Sequence, residues 1–352
     1  MYEIRMPSVN PQTDLGRRTP AHDAPHLAAL DALRGIAIVL VVVGHYLPDR
    51  VVGGTFGEIL RPCAVGGVTL FFILSGFLIG RNLSRGMSPI GYALRRIFRI
   101  LPAYWVSLVV LIVLHRLLLK EADFGTLRDT LFNALLLMDV GKAPSLNAAF
   151  WTLLIEAKFY VLAPFLVLGG RRLIQFAPYL VMAVNGLILA RRSEASNLLT
   201  YLAICFVGMN FELWCRRELS GRALTLLVLC AAVSAGIYSP YVKIGLALFV
   251  LINAALLGLA LKHAPRLRLP VLGFVGAISY SWYLYHGGIG YPLMAKLDGL
   301  MPPLVSTVIA AVVTFLVAWL SYRLIEQPGI SLGRMLEKRA LNKNSRVTAE
   351  RL

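Results

Sequence analysis

The sequence predicts an all-α integral membrane protein, a bundle of about ten transmembrane helices with both termini in the cytoplasm. Composition is the first observation behind this fold class. Hydrophobic residues make up 58% of the 352 residues and charged residues 15%, whereas soluble domains average about 25% charged residues. The mean hydropathy of the chain is +0.71, which is typical of a chain that lies mostly in lipid and excludes an ordinary soluble domain.

Apolar segments are the second observation, since ten of them have the length of about 20 residues that a helix needs to cross the hydrocarbon layer. They cover residues 30–48, 63–80, 100–118, 147–168, 173–190, 198–214, 223–240, 244–261, 271–291 and 303–325. The longest connection, 119–146, carries leucines at helical spacing, which indicates an interfacial amphipathic helix or a helix packed in the loop. We therefore expect a membrane domain over 27–333, between a disordered cytoplasmic tail (1–26) and a basic cytoplasmic tail (334–352).

The distribution of Lys and Arg orients these segments. With a cytoplasmic N-terminus, the inner connections and tails hold 22 of the 35 basic residues, and the outer connections hold 10. Such a bias marks the cytoplasmic side of a membrane protein. It also accounts for the formal net charge of +17 without nucleic acid, for which the sequence has no binding motif. We predict a multi-pass membrane protein in contact with lipids.

The first apolar segment contains two ionisable residues, Arg34 and His45. Eleven residues make almost three helical turns, so both side chains share one face, about 16 Å apart along the axis. An ionisable residue inside a spanning helix predicts a functional site. The alternative is that Arg34 reaches the interface as a topology anchor and His45 is a buried hydrogen-bonding residue.

Other ionisable residues fall at two depths. Glu156 and His286 belong near the outer ends of the fourth and ninth segments, at the level of His45.

Near the cytoplasmic end of the third segment lie Arg95, Arg96 and Arg99, at the level of Arg34. Their spacing of three and four residues lets the guanidinium groups converge on one helix face. Converging guanidinium groups suit phosphate, because each donates paired hydrogen bonds. The alternative interpretation is that these arginines bind nothing and only mark the cytoplasmic end of the helix, where basic residues are common.

Six short motifs follow one another in the order of a known family. They are Arg34-x₁₀-His45, Phe71-Phe72-x-x-Ser75-Gly76-Phe77-Leu78-Ile79, Arg96-x-x-Arg99, Trp151-Thr152-Leu153-x-x-Glu156-x-x-Phe159-Tyr160, Ser279-Tyr280-Ser281-x-Tyr283-Leu284-x-His286 and Glu326-Gln327-Pro328. With them, the chain resembles the acyltransferase-3 family of bacterial membrane acyltransferases over about residues 27–333. The resemblance implies that it is a multi-pass protein of the bacterial plasma (inner) membrane. Ala157, Lys158 and Tyr285 depart from the residues that many members have at those positions.

The resemblance implies transfer of an acyl group, expected to be acetyl, from cytoplasmic acyl-CoA to a hydroxyl of a cell-surface or exported glycan or lipid-linked sugar. His45 would be the general base, since an imidazole titrates near neutral pH. Arg34 would hold a donor phosphate or balance charge, and Glu156 would orient His45 or join helices. The implied donor-binding residues are Arg95, Arg96 and Arg99.

Tyr283 and His286 are the implied acceptor-binding residues, with helix joining as the alternative for His286. No metal is expected, because the four cysteines lack the paired spacing of a metal site. We also expect this chain to lack the extra extracytoplasmic domain that some family members carry.

Two other classes of protein fit part of the pattern. Buried His, Glu and Arg on ten spans also describe a proton-coupled transporter. The sequence has no inverted repeat and no matching pair of helices broken by Gly or Pro, which argues against that class. A scaffold without catalysis would need none of these charged residues.

Overall fold

A computed structural model describes residues 24–48, 50–52, 54–121, 123–192, 196–238, 243–263 and 269–349. The expected disordered tail, 1–26, lies outside the described residues except for 24–26, which begin the first helix. Fourteen α-helices form in the described part of the chain, and no β-strand does. Their bounds are α1 Ala24–Tyr46, α2 Gly54–Leu60, α3 Pro62–Ser84, α4 Pro89–Val113, α5 Leu127–Ala134, α6 Met138–Gly141, α7 Phe150–Leu168, α8 Gly170–Arg192, α9 Asn197–Cys215, α10 Gly221–Tyr238, α11 Lys243–His263, α12 Pro270–Leu297, α13 Pro303–Ser321 and α14 Gln327–Ala349.

Nine helical stretches of the described residues are long and apolar enough to cross a membrane, and they match nine of the ten predicted segments. The remaining segment, 271–291, forms α12, whose 28 residues extend about 42 Å and are long enough to span. Its sequence is more polar, and the polar side chains of Ser279, Ser281 and His286 are buried in the bundle. Protein rather than lipid surrounds them, as polar groups at membrane depth require. The predicted all-α membrane bundle is confirmed.

The backbones of α1 and α12 lie in direct contact. A Cβ atom at Gly276 would overlap the carbonyl oxygen of Asp31, and one at Gly35 would overlap the carbonyl oxygen of Leu272. Small residues at a helix crossing allow such an approach in membrane proteins. This approach brings the C-terminal half of α1, which carries His45, against the C-terminal half of α12, which carries His286.

The long connection between α4 and α7 folds into two short helices, α5 and α6. Its organising side chain is buried Asn133, whose Nδ2 donates to the carbonyl oxygen of Pro144 at 2.9 Å. The predicted apolar stripe is present on and after α5, with Leu127, Leu131 and Leu135 exposed. An exposed apolar stripe beside polar residues is typical of an interfacial helix.

After α13, a π-helical turn at Tyr322–Glu326 leads into α14, which packs against α4. The contact is close, because a Cβ atom at Gly333 would lie 2.9 Å from Cβ of Phe98. Arg95 Nε donates to Glu337 Oε2 at 2.6 Å across the same interface. The predicted basic tail, 334–352, is therefore helical as far as Ala349.

Candidate active site

A cavity of about 460 Å³ lies among α1, α3, α4, α7, α12 and α14. Phe71, Phe72 and Leu78 of α3 give it an apolar wall. Charged and hydroxyl side chains of the other helices complete the lining. Such a lining suits a ligand that has both a charged end and an apolar arm.

Five arginines line this cavity, namely Arg34 on α1, Arg95, Arg96 and Arg99 on α4, and Arg334 on α14. Within the described ranges neither Arg96 nor Arg99 forms an ion pair, and Arg34 Nη1 lies 3.8 Å from Asp31 Oδ1. Arg96 instead lies over the Tyr160 ring, 5.3 Å from its centroid. The arginines outnumber the two carboxylates of the lining, Asp31 and Glu156. The cavity therefore has an excess of positive charge, which favours an anionic ligand.

Arg95 also borders the cavity, but its guanidinium is already paired. The ion pair with Glu337 joins α4 to α14 at 2.6 Å. Glu337 is almost completely buried, with a side chain 8% exposed. Among the three predicted donor-binding arginines, Arg95 is thus the one that has an ion-pair partner within the described ranges.

Glu156 lies on the cavity wall on α7. Its Oε1 accepts hydrogen bonds from Ser75 Oγ, at 2.7 Å, and from the Tyr160 hydroxyl. The contact with His45 that the sequence suggested for this carboxylate does not occur among the described residues. The two hydrogen bonds connect Glu156 to α3 and to the ring that lies under Arg96.

Tyr283 closes the cavity at the end that faces His286. Its hydroxyl lies 2.7 Å from Thr152 Oγ1, and its ring centroid lies 5.4 Å from that of His286. Of the described residues that line the cavity, none is a histidine. Tyr283 and Thr152 therefore separate the arginines from the two histidines.

His45 and His286 contact each other directly. His45 Nδ1 lies 2.9 Å from His286 Nε2, and the rings stack with centroids 5.1 Å apart. On its other side, His286 Nδ1 lies 2.7 Å from the carbonyl oxygen of Tyr283. The hydroxyl of Tyr46 donates to the carbonyl oxygen of His286 at 2.5 Å. The sequence predicts both histidines at the same depth, and in the structure their rings are in direct contact.

Sequence reasoning assigned no role in the site to several polar lining residues, among them Asn82, Ser279 and Arg334. Asn82 and Arg334 lie outside the motifs quoted above, and Arg334 was assigned to a tail. Ser279 belongs to a motif, and its buried hydroxyl has no hydrogen-bond partner among the described residues. No group of three or more metal-binding side chains occurs in the described part of the chain.

Comparison with known proteins adds a family to this geometry. The sequence model of the acyltransferase-3 family, described as an acyltransferase domain, matches residues 27–323. The peptidoglycan O-acetyltransferase OatA of Listeria monocytogenes is 24% identical over 89% of this chain and 57% of its own length. Nodulation protein 10 of Rhizobium leguminosarum is 26% identical over 91% of this chain and 98% of its own length.

This chain thus spans little more than half the length of OatA and nearly all of nodulation protein 10. No solved structure matches it. The matched range includes most of the cavity lining, with the arginines on α1 and α4, and the histidine pair. On that match, which covers most of the sequence, the chain belongs to the acyltransferase-3 family of membrane acyltransferases.

Proposed function

We propose that this protein moves an acyl group, acetyl being the expected one, from cytoplasmic acyl-CoA to a hydroxyl of a cell-surface or exported glycan. Family membership supports the acyl transfer. The name of OatA, a peptidoglycan O-acetyltransferase, supports acetyl as the group and a glycan as the acceptor. The observation that carries the proposal for this chain is a cavity with unpaired arginines at one end and a histidine pair beyond the other.

The donor would bind with its phosphates on Arg96 and Arg99. Neither guanidinium has an ion-pair partner among the described residues, so their hydrogen-bond donors are available to phosphate oxygens. The apolar wall on α3 suits the pantetheine arm, which would run toward Tyr283. Arg34 would hold a further donor phosphate or balance the charge of the entering anion.

His45 would act as the general base. Its imidazole would take the proton of the acceptor hydroxyl as the oxygen attacks the thioester carbonyl. The tetrahedral intermediate would collapse with loss of the CoA thiolate, which takes up a proton to give CoA-SH. Glu156 would keep Tyr160 and Ser75 in place on the cavity wall, because its hydrogen bonds go to these two residues.

Purified protein in detergent, supplied with acetyl-CoA and fragments of bacterial surface glycans, tests the proposal. We expect thioester consumption and an ester on the glycan, measured by free thiol release and mass spectrometry. His45→Ala should lose about 10²–10⁴-fold in rate, the usual contribution of a general base.

His263→Ala is the matched control, because His263 lies at the end of α11, away from the cavity. It should keep wild-type activity. Full activity in a folded His45→Ala protein would refute the proposed base. Proton-driven solute uptake without thioester consumption would refute the reaction and support a transporter.

A further inference from the structure

The hydrogen bonds around His286 determine which of its nitrogens carries a proton. Nδ1 of His286 lies 2.7 Å from the carbonyl oxygen of Tyr283. A carbonyl oxygen only accepts, so Nδ1 must be the donor. The side chain of His286 is buried, and no carboxylate is bonded to it within the described residues. Such a ring is neutral because an unpaired charge is costly to bury, and its Nε2 therefore carries a lone pair.

His45 must then donate to that lone pair. The distance from His45 Nδ1 to His286 Nε2 is 2.9 Å, a normal hydrogen bond. Since Nε2 of His286 is an acceptor, the neutral His45 ring carries its proton on Nδ1. Its Nε2 consequently has a free lone pair and makes no hydrogen bond to any described residue. The hydrogen-bonded series thus runs from His45 through His286 to the carbonyl oxygen of Tyr283.

We propose that His286 is a positioning residue for the base His45, fixing its tautomer and ring orientation so that Nε2 faces the reacting hydroxyl. This inference rests on the proposed acyl transfer. A carboxylate has the corresponding position in a Ser-His-Asp triad, whereas this chain uses a neutral imidazole. When His45 Nε2 takes the acceptor proton, the Nδ1–H of the resulting imidazolium keeps its hydrogen bond to His286. The proton leaves Nε2 again for the departing CoA thiolate, so the pair returns to its starting state.

The surrounding contacts hold His286 in this position. The carbonyl oxygen of Tyr283 orients the ring of His286, and the hydroxyl of Tyr46 binds its carbonyl oxygen at 2.5 Å. Tyr46 is the neighbour of His45 on α1, so one contact between α1 and α12 also sets the register of the histidine pair. A residue that only joined helices would not need an acceptor nitrogen directed at the base.

Two variants of His286 separate positioning from packing. In His286→Gln the side-chain oxygen can accept from His45 Nδ1, whereas His286→Phe keeps a ring of similar shape without an acceptor. We expect His286→Phe to lose about 10²-fold or more in kcat, with little change in the KM for acetyl-CoA. His286→Gln should recover at least about tenfold of that loss. His263→Gln should behave as the wild type.

Nitrogen-15 NMR of histidine-labelled full-length protein in detergent gives a readout besides activity. His45, assigned by its loss in His45→Ala, should show a protonated Nδ1 in the wild type and in His286→Gln. In His286→Phe it should shift toward the Nε2-protonated tautomer. Protonation of His45 at Nε2 in the wild type, or equal kcat values in the Phe and Gln variants, would overturn the inference. Expected tautomers in a protein that never consumes acetyl-CoA would instead refute the proposed function and with it the catalytic use of the pair.

Discussion

Thr152 of α7 and Tyr283 of α12 join their helices by a hydrogen bond of 2.7 Å at the end of the cavity that faces His286. Thr152 has a single hydroxyl proton, which it donates to the carbonyl oxygen of Ala149 at 2.8 Å. Tyr283 is therefore the donor to Thr152 Oγ1. The pantetheine arm of an acyl-CoA bound at the arginines must pass Thr152 and Tyr283 to reach His286. The hydrogen bond between these two residues therefore closes the route from the arginines to the histidines.

Removing the acceptor should destabilise the protein more than removing the donor. Thr152→Val leaves the Tyr283 hydroxyl buried without an acceptor, which costs about 1–3 kcal/mol. Tyr283→Phe leaves Thr152 bonded to Ala149 and costs about 0.5–1.5 kcal/mol. Apparent melting temperatures in detergent should fall in the order wild type, Tyr283→Phe, Thr152→Val.

The double variant tests the same hydrogen bond. Once Tyr283 is Phe, no hydroxyl remains to be left unpaired, so Thr152→Val should cost less in that background than in the wild type. Equal costs in both backgrounds would show that the two hydroxyl groups do not interact.

Binding of acyl-CoA should depend on Arg96 and Arg99 but not on the adjacent Arg95. Replacing both Arg96 and Arg99 by Ala should weaken acyl-CoA binding at least tenfold, because each charge-assisted contact is worth about 1.5–3 kcal/mol. Isothermal titration in detergent measures the change. Arg95→Ala is the matched control, since its guanidinium is bound to Glu337.

That control should alter stability more than affinity. Loss of Arg95 leaves buried Glu337 unpaired, so the melting temperature should fall while the Kd for acyl-CoA stays near the wild-type value. If all three arginines contribute equally to binding, or none does, the assignment of phosphates to Arg96 and Arg99 is wrong.

The sequence was sufficient for the features that depend on one helix at a time. Apolar length predicted the spans, and helical geometry placed Arg34 and His45 at two depths of α1. The levels of His45 and His286 followed from the direction of each span. These properties need no knowledge of which helices are neighbours.

Which side chains contact one another across helices depends on how the helices pack, and the sequence was insufficient to predict these contacts. His45 pairs with His286 rather than Glu156 because α1 contacts α12 closely, through glycines that gave no distinctive signal. Arg95 and Arg96 differ because neighbouring side chains on a helix point about 100° apart. Arg95 forms its ion pair with Glu337 of α14, a helix that begins after the last predicted span.

Sidedness is tested by thiol labelling. Ile90 is exposed at the start of α4, and Asp123 is exposed in the connection after the same helix. The 25 residues of α4 extend about 37 Å, so these positions lie at opposite membrane surfaces.

In a variant without native cysteines, a membrane-impermeant maleimide should label Asp123→Cys in intact cells. It should label Ile90→Cys only after permeabilisation, as the basic cytoplasmic connections predict. The reverse pattern would invert the proposed orientation.

Gly273 and Gly276, about one helical turn apart on α12, should respond differently to an added methyl group. A Cβ atom at Gly276 would overlap the carbonyl oxygen of Asp31, whereas one at Gly273 would meet no atom within 4 Å. Both substitutions by Ala give the same gain in helix propensity, about 0.8–1.0 kcal/mol.

Overpacking at Gly276 costs about 1–3 kcal/mol and pushes α1 away from α12, which separates His45 from His286. Gly276→Ala should therefore lower both the melting temperature and acyl transfer, and Gly273→Ala should lower neither. Size-exclusion chromatography after heating and an acetyl-CoA assay measure the two effects. Equal behaviour of the two variants would mean that close contact between α1 and α12 is not what holds the histidine pair together.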